Sequence, residues 1–186
     1  MPNGKLYATQ KSRDERNEKS VNFKAFWNGY MKNLQIKTVS VNDLPLLFDL
    51  FKYKNKAGMI KENTQKIENG EIDVFGLFKG NRVIGELRVK YKSNDEQEVI
   101  PGKRVYLYAF RVLKKYQGKG YGKFLLQEVI SRLYAKGYSE FTVGVEDDNA
   151  RAIHIYKEFG FHCILAGKYE EYEGYGYAYD LYLKAM

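Results

Sequence analysis

A glycine-rich turn between an apolar segment and a long amphipathic segment constrains this chain more than any other feature. Residues 104–112 are rich in β-branched and aromatic side chains and predict a strand, while 120–136 show helical periodicity. Between them lies Gln117-Gly118-Lys119-Gly120-Tyr121-Gly122. Alternate glycines let the backbone turn tightly and expose its N–H groups, and the positive end of the following helix points at the same place. The combination predicts a phosphate-binding loop.

The spacing of these glycines excludes two common phosphate loops. A Walker A loop fails because Gln117 stands where its first glycine is required and Phe124 stands where it needs Ser or Thr. The dinucleotide fingerprint Gly-x-Gly-x-x-Gly fails because Lys123 occupies its third glycine position. The segment does match Gln/Arg-x-x-Gly-x-Gly/Ala. It closely resembles the loop with which GCN5-related N-acetyltransferases, the GNAT superfamily, bind the pyrophosphate of acetyl-CoA.

A second motif strengthens this resemblance. Residues 149–161 look like the later GNAT signature Asn-x-x-Ala-x-x-x-Tyr-x-x-x-Gly-Phe, and they follow a predicted strand over 141–146. The resemblance covers roughly Leu34 to the C-terminus and is most specific between Val105 and Phe161. It implies an α/β fold with a mixed, mostly antiparallel sheet flanked by helices. In that fold strands four and five are parallel and splay apart, and the coenzyme enters the gap.

The rest of the chain predicts the other elements of such a sheet. Further strands are predicted over 34–40, 72–78 and 83–91, and two more strand-like stretches over 163–169 and 177–183. Further helices are predicted after Asn42 or Asp43, over 60–69 and over 150–159. This order is typical of a mixed α/β domain. The helix over 120–136 is long enough to connect two parallel strands.

Length and charge suggest one folded domain behind a basic leader. The 186 residues suit a single core, which we place at 34–186. Residues 1–33 hold seven Lys and Arg against three acidic residues, 7 − 3 = +4 of the net +8, and we expect them to be partly disordered. We interpret this leader as a solvated arm and not as a nucleic-acid contact, because no nucleic-acid-binding motif accompanies its charge. No apolar run approaches the ~20 residues of a membrane span, which together with a single cysteine fits a cytoplasmic protein without a membrane partner.

The resemblance also implies which residues hold acetyl-CoA. Backbone along residues 110–112 would contact the pantetheine arm, and the Val112 N–H would polarise the thioester carbonyl. Asn149 would hydrogen-bond the arm, cap its helix, or do both. The full predicted set is Phe110, Arg111, Val112, Gln117, Gly118, Lys119, Gly120, Tyr121, Gly122, Lys123, Asn149 and Tyr156.

The chemistry of acetyl transfer to an amine suggests the catalytic candidates. Tyr156 matches the general-acid tyrosine of the family, although packing is its simpler role. An ordinary alkylammonium has a pKa near ~10.4, so a base must deprotonate the acceptor at neutral pH. Glu86 and Glu146 are the candidate carboxylates, each with the alternative of an ordinary solvated or ion-paired side chain. We expect direct transfer in a ternary complex. Cys163 is predicted to be inert core, and two histidines without partners predict no metal site.

The acceptor is suggested only by the last predicted hairpin. Glu170, Glu171 and Glu173 alternate there with tyrosines at 169, 172, 175 and 177. Such a rim suits a cationic amine, in a small molecule or a peptide, although a polar hairpin is the simpler interpretation. Two rival functions are a GNAT-fold acyl-CoA sensor without catalysis and a basic nucleic-acid-binding module. A homodimer is compatible with the sequence.

Overall fold

The structure, a computed structural model, describes residues 33–52, 55–172 and 175–186. Almost all of the basic leader predicted at 1–33 therefore lies outside the described residues. The strands are β1 (Leu34–Thr38), β2 (Ile72–Lys79), β3 (Arg82–Lys90), β4 (Arg104–Val112), β5 (Glu140–Glu146), β6 (Cys163–Tyr172) and β7 (Tyr175–Ala185). The α-helices are α1 (Leu44–Leu50), α2 (Lys56–Glu68), α3 (Tyr121–Ala135) and α4 (Ala150–Glu158).

The strands form one mixed sheet in the order β1-β2-β3-β4-β5-β7-β6. The β4–β5 pair is parallel, whereas β2–β3, β3–β4, β5–β7 and β6–β7 are antiparallel. Helix α3 makes the crossover that a parallel pair requires. The predicted fold class is therefore confirmed.

The parallel pair separates halfway along its length. Its ladder runs only from Arg104↔Glu140 to Leu107↔Val143. Just beyond this ladder β4 contains a β-bulge. The interval from Tyr108 to Arg111 on β4 is three residues long but is opposite the two-residue interval from Arg88 to Glu86 on β3. Within the bulge, Ala109 adopts a left-handed backbone with φ of 48°. Such a bulge bends the strand that contains it. Residues 108–112 consequently have no partner on β5, and a gap opens between the two strands.

Apolar side chains on both faces of the sheet hold this geometry. The apolar residues behind the helical periodicity of 120–136 form the inner face of α3, since Leu125, Leu126, Val129, Ile130 and Leu133 are all buried. On α1, Leu44, Leu47 and Phe48 are buried in a cluster with residues of β2 and β3. Each such side chain contributes roughly 1.5–3 kcal/mol on burial. The two helices therefore fix the sheet on which the gap is built.

Three local predictions need correction. Helix α2 begins at Lys56, whereas the prediction began at residue 60. The prediction started too late because Gly58 weakens the helical pattern of the first turn. Strand β7 begins at Tyr175, so Gly176 lies inside the strand rather than in the turn. Cys163 is exposed rather than buried, because it is the first residue of β6, which forms an edge of the sheet. None of the helices in the described ranges is long and apolar enough to cross a membrane.

Candidate active site

The glycines of the turn before α3 serve two different purposes. Gly118 and Gly120 have φ of 73° and 76°, a left-handed backbone that costs other residues ~1–2 kcal/mol. Gly122 lies in the first turn of α3, where a β-carbon would stand 3.2 Å from the ring of Phe110. The first two glycines therefore shape the turn, and the third lets the helix approach β4 closely.

The turn presents a row of free backbone donors. Within the described chain, no oxygen accepts a hydrogen bond from the backbone N–H groups of residues 118–123. The first such bond in α3 is donated by the Phe124 N–H to the Gly120 carbonyl at 3.0 Å. Lys119 adds positive charge beside Tyr116, while Lys123 is paired with Glu158. A row of donors at a helix N-terminus is suited to bind a diphosphate.

Gln117 is exposed, but its side chain connects the turn to its neighbours. Its Nε2 donates to the Val112 carbonyl at 2.8 Å, and its Oε1 accepts from Arg151 Nη1 at 3.2 Å. The side chain thus links the turn to β4 and to α4. Arg151 was not among the predicted site residues, although its place two residues after Asn149 inside the second motif was a usable signal.

The edge of β4 that faces the gap carries the predicted oxyanion donor. The Leu113 N–H donates to the Ile84 carbonyl on β3 at 2.8 Å. Successive residues of an extended strand direct their N–H groups to opposite sides. The Val112 N–H is therefore directed away from β3 and toward the gap, with Phe110, Arg111 and Val112 all lining the cleft that fills it.

Helix α4 brings Asn149 and Tyr156 to the same cleft. Asn149 Oδ1 accepts from the Ala152 N–H at 3.1 Å, which caps the helix and leaves the side-chain amide donors available. Tyr156 is only 7% exposed and packs against the rings of Phe110 and Phe161, at 6.1 and 5.4 Å between centroids. Its hydroxyl makes no hydrogen bond with any described residue. Burial raises the pKa of Tyr156 above the ordinary phenol value.

The two candidate bases lie in contrasting surroundings. Glu86 is fully buried, contacts Arg88 at 3.3 Å and bonds to Arg111. Burial raises the pKa of Glu86 to about 7, and the Arg88 guanidinium opposes that shift. Of these three residues only the two arginines line the cleft. Glu146, in contrast, ends β5 as an exposed side chain on the cleft wall.

A cleft of about 1210 Å³ joins the glycine-rich turn to a set of acidic and aromatic side chains. Tyr106, Glu170, Tyr177 and Tyr179 line this second end. Of the predicted acidic rim, Glu170 and Tyr177 lie in the cleft, whereas Tyr169 is 71% exposed. Glu171 is exposed and is not part of the lining. Glu173 lies outside the described residues, as do the side chains at positions 172 and 175.

A comparison with protein families agrees with the geometry of the site, which combines the β4–β5 gap, the N–H groups of the turn and the motif on α4. The family model described as "Acetyltransferase (GNAT) family" matches residues 43–161. The chain belongs to this family. Its predicted identity as an acetyl-CoA-dependent acetyltransferase is thereby confirmed.

Individual relatives agree with that assignment. A probable spermine N(1)-acetyltransferase of Bacillus subtilis subsp. natto is 27% identical over 135 residues, 69% of this chain and 88% of the relative. Among solved structures, a putative acetyltransferase from Salmonella typhimurium with its cofactor acetyl-CoA has a TM-score of 0.63 at 16% identity, covering 82% and 94% of the two chains. A spermidine N-acetyltransferase chimera from Vibrio cholerae and hSSAT has a TM-score of 0.67 at 15% identity, covering 82% and 95%.

Proposed function

We propose that this GNAT acetyltransferase transfers the acetyl group of acetyl-CoA directly to a primary amine of a cationic acceptor. One observation carries the proposal. The N–H groups of the turn and the Tyr156 hydroxyl, none of which bonds to a described residue, lie in one cleft where β4 and β5 separate. A ligand held at both places by its diphosphate and its thioester would extend along the open edge of β4.

Donor binding in this proposal uses mainly the backbone. The N–H groups of residues 118–123 hold the pyrophosphate, and Gln117 with Arg151 keeps the turn in place. The arm then follows residues 110–112, where Asn149 supplies side-chain amide donors. The Val112 N–H donates to the thioester carbonyl and stabilises the oxyanion that forms on attack.

Glu146 is the base that we propose for the acceptor. It lies on the cleft wall with an exposed carboxylate that can accept a proton from the ammonium through water. The amine nitrogen then bonds to the thioester carbon and loses its second proton through the same water to solvent as the C–S bond breaks. For Glu86 we propose a positioning role instead, because its carboxylate is enclosed and bonded to Arg88 and Arg111.

Tyr156 supplies the proton for the leaving sulfur. Burial keeps its hydroxyl protonated at neutral pH, so it donates a hydrogen bond to sulfur as negative charge develops there. A thiol is ordinarily the stronger acid, with a pKa of ~8.5 against ~10 for a phenol, so the transfer is driven by the return of a proton to the phenol that follows it. Solvent later returns a proton to the phenol, and the products are an N-acetylated amine and coenzyme A.

The acceptor class is supported by charge and by relatives. Glu146 and Glu170 give the end of the cleft away from the turn a negative wall, and tyrosine rings beside them favour cations. Two relatives are named for acetylation of spermine or of spermine and spermidine. Both lines of support point to a cationic amine as the acceptor.

A screen of amines tests the proposal. The purified chain is mixed with acetyl-CoA and with polyamines, alkylamines or lysine peptides, and thiol release and acetylated product are measured together. We expect both to appear in equal amounts with at least one cationic amine. Binding of acetyl-CoA without product from any amine would instead support the sensor, and salt-sensitive binding of nucleic acid that depends on residues 1–30 would support the nucleic-acid module.

A further inference from the structure

The strand register gathers four side chains on one face at the acceptor end of the cleft. Glu146 of β5 is opposite Tyr179 of β7, and Glu170 of β6 is opposite Tyr177. Residues directly opposite in a sheet share a face, as do residues two apart along a strand. The rings of Tyr177 and Tyr179 are 5.9 Å apart at an angle of 33°. We call Glu146, Glu170, Tyr177 and Tyr179 the acceptor wall.

A glycine makes room for these rings. A β-carbon at Gly144 would lie 2.8 Å from the Tyr106 hydroxyl and 2.8 Å from Cδ2 of Tyr179. Both tyrosines can therefore approach β5 only because position 144 has no side chain. The result is an aromatic lining directly beside the two carboxylates.

The acceptor wall carries negative charge that the described residues do not neutralise. Neither Glu146 nor Glu170 forms an ion pair with any described residue. Glu98, which also lines the cleft, is in contrast paired with Lys90 at 3.0 Å. Glu170 accepts a hydrogen bond from the Tyr177 hydroxyl at 2.7 Å, which holds its carboxylate in place. Burial, followed by Glu98 and Glu170, raises the pKa of Tyr179 to about 12.

Lys90 shows how this part of the cleft holds an ammonium group. Its Nζ lies 4.9 Å from the ring centroid of Tyr106 and 5.9 Å from that of Tyr108, with Glu98 as its counter-ion. Tyrosine rings and a carboxylate therefore already surround one cation of the chain itself. The acceptor wall repeats that combination of groups, and Lys168, which the register places opposite Tyr179, is itself paired with Asp95.

Tyr179 brings a buried hydroxyl to the acceptor wall. Tyr179 is 8% exposed and lines the cleft, and its hydroxyl makes no hydrogen bond with any described residue. A buried hydroxyl without a partner is unfavourable, so such groups are normally hydrogen-bonded in a functioning site. An ammonium N–H that enters the cleft can donate to it.

We propose that the acceptor wall binds a second ammonium group of the acceptor, which makes the acceptor a diamine or polyamine. One amino group reacts beside Glu146, while a distal ammonium lies against the tyrosine rings with Glu170 as its counter-ion. The inference rests on the proposed function. Glu170 is the residue that determines this preference, because its carboxylate is oriented by Tyr177 and has no cationic partner among the described residues.

The test compares two acceptors with the same five-carbon chain that differ by one terminal ammonium group, the diamine cadaverine and the monoamine pentylamine. For each amine, kcat/KM is measured with the wild type, with Glu170→Gln and with the control Glu171→Gln. We expect Glu170→Gln to lower the value for the diamine roughly fivefold and to leave that for the monoamine within about twofold. Glu171 is exposed outside the cleft, so its variant should change neither value.

A binding measurement separates this inference from the proposed function. Hexamethonium, which carries two quaternary ammonium groups, cannot be acetylated, and its affinity for the coenzyme A complex is measured by calorimetry. Weaker binding to Glu170→Gln than to the wild type supports the subsite even if no amine is acetylated. Equal binding to both proteins, or an equal loss of kcat/KM for the diamine and the monoamine, overturns it.

Discussion

In the function we propose, the two ends of the cleft bind their ligands with different parts of the chain. The donor end is a continuous segment, residues 118–123, whose free groups are backbone N–H donors. The acceptor end is assembled from side chains on several elements, among them Tyr106 of β4, Glu146 of β5 and Glu170 of β6. A backbone site depends on conformation and tolerates changes of side chain, whereas a side-chain site changes with each substitution. One scaffold can therefore keep its donor while its acceptor varies.

The centre between the two ends should be the most sensitive point. We expect Tyr156→Phe to lower kcat by roughly a hundredfold or more, because it removes the proton donor to sulfur. The ring contacts with Phe110 and Phe161 remain, so the Kd of acetyl-CoA should change little. Steady-state kinetics and calorimetry measure the two quantities. Tyr134→Phe, at a tyrosine 53% exposed on α3, is the control and should change neither. A Tyr156→Phe enzyme with full kcat would remove the tyrosine from the chemistry.

The buried carboxylate of Glu86, which bonds to two arginines of the cleft, provides the next test. Because burial raises the folded-state pKa of Glu86 to about 7, the folded protein holds that proton more tightly than the unfolded chain. The resulting stability is present below pH ~4.5 and is lost as pH rises through about 7. Between pH 5 and 8 the wild type should therefore lose up to about 3 kcal/mol relative to Glu86→Gln, which cannot titrate.

Urea unfolding at several pH values measures this difference. Glu128→Gln, which removes an exposed partner of Arg132 on α3, is the control and should show no such trend. A shift in the opposite direction would mean that the two arginines outweigh burial and keep the carboxylate ionised. Because Arg88 and Asn63 both line the cleft and bond to each other, loss of the Glu86–Arg88 ion pair should also raise the KM for the amine.

The contrast between a backbone site and a side-chain site also explains which features could be predicted from the sequence. The turn at Gln117 to Gly122 and the helix after it were predictable, because backbone conformation depends on glycines and apolar periodicity that are local in the chain. The bulge at Ala109 was not, since alanine carries no signal for a left-handed backbone. Glu86 and Arg88 were visible as charges within an apolar strand, but their bonds to Arg111 and Asn63 depend on tertiary packing.

The donor end should respond to strain in its turn and hardly to lost side-chain contacts. We expect Gly118→Ala to raise the Kd of acetyl-CoA roughly tenfold, because a left-handed alanine costs ~1–2 kcal/mol and the turn will shift to avoid it. Gly137→Ala is a matched control. Like Gly118, Gly137 has a positive φ and open space where a β-carbon would lie. Unlike Gly118, it does not line the cleft. Both variants should lose similar stability in thermal unfolding, and only the first should lose affinity. Equal affinity in the two variants would show that the conformation of the turn does not determine donor binding.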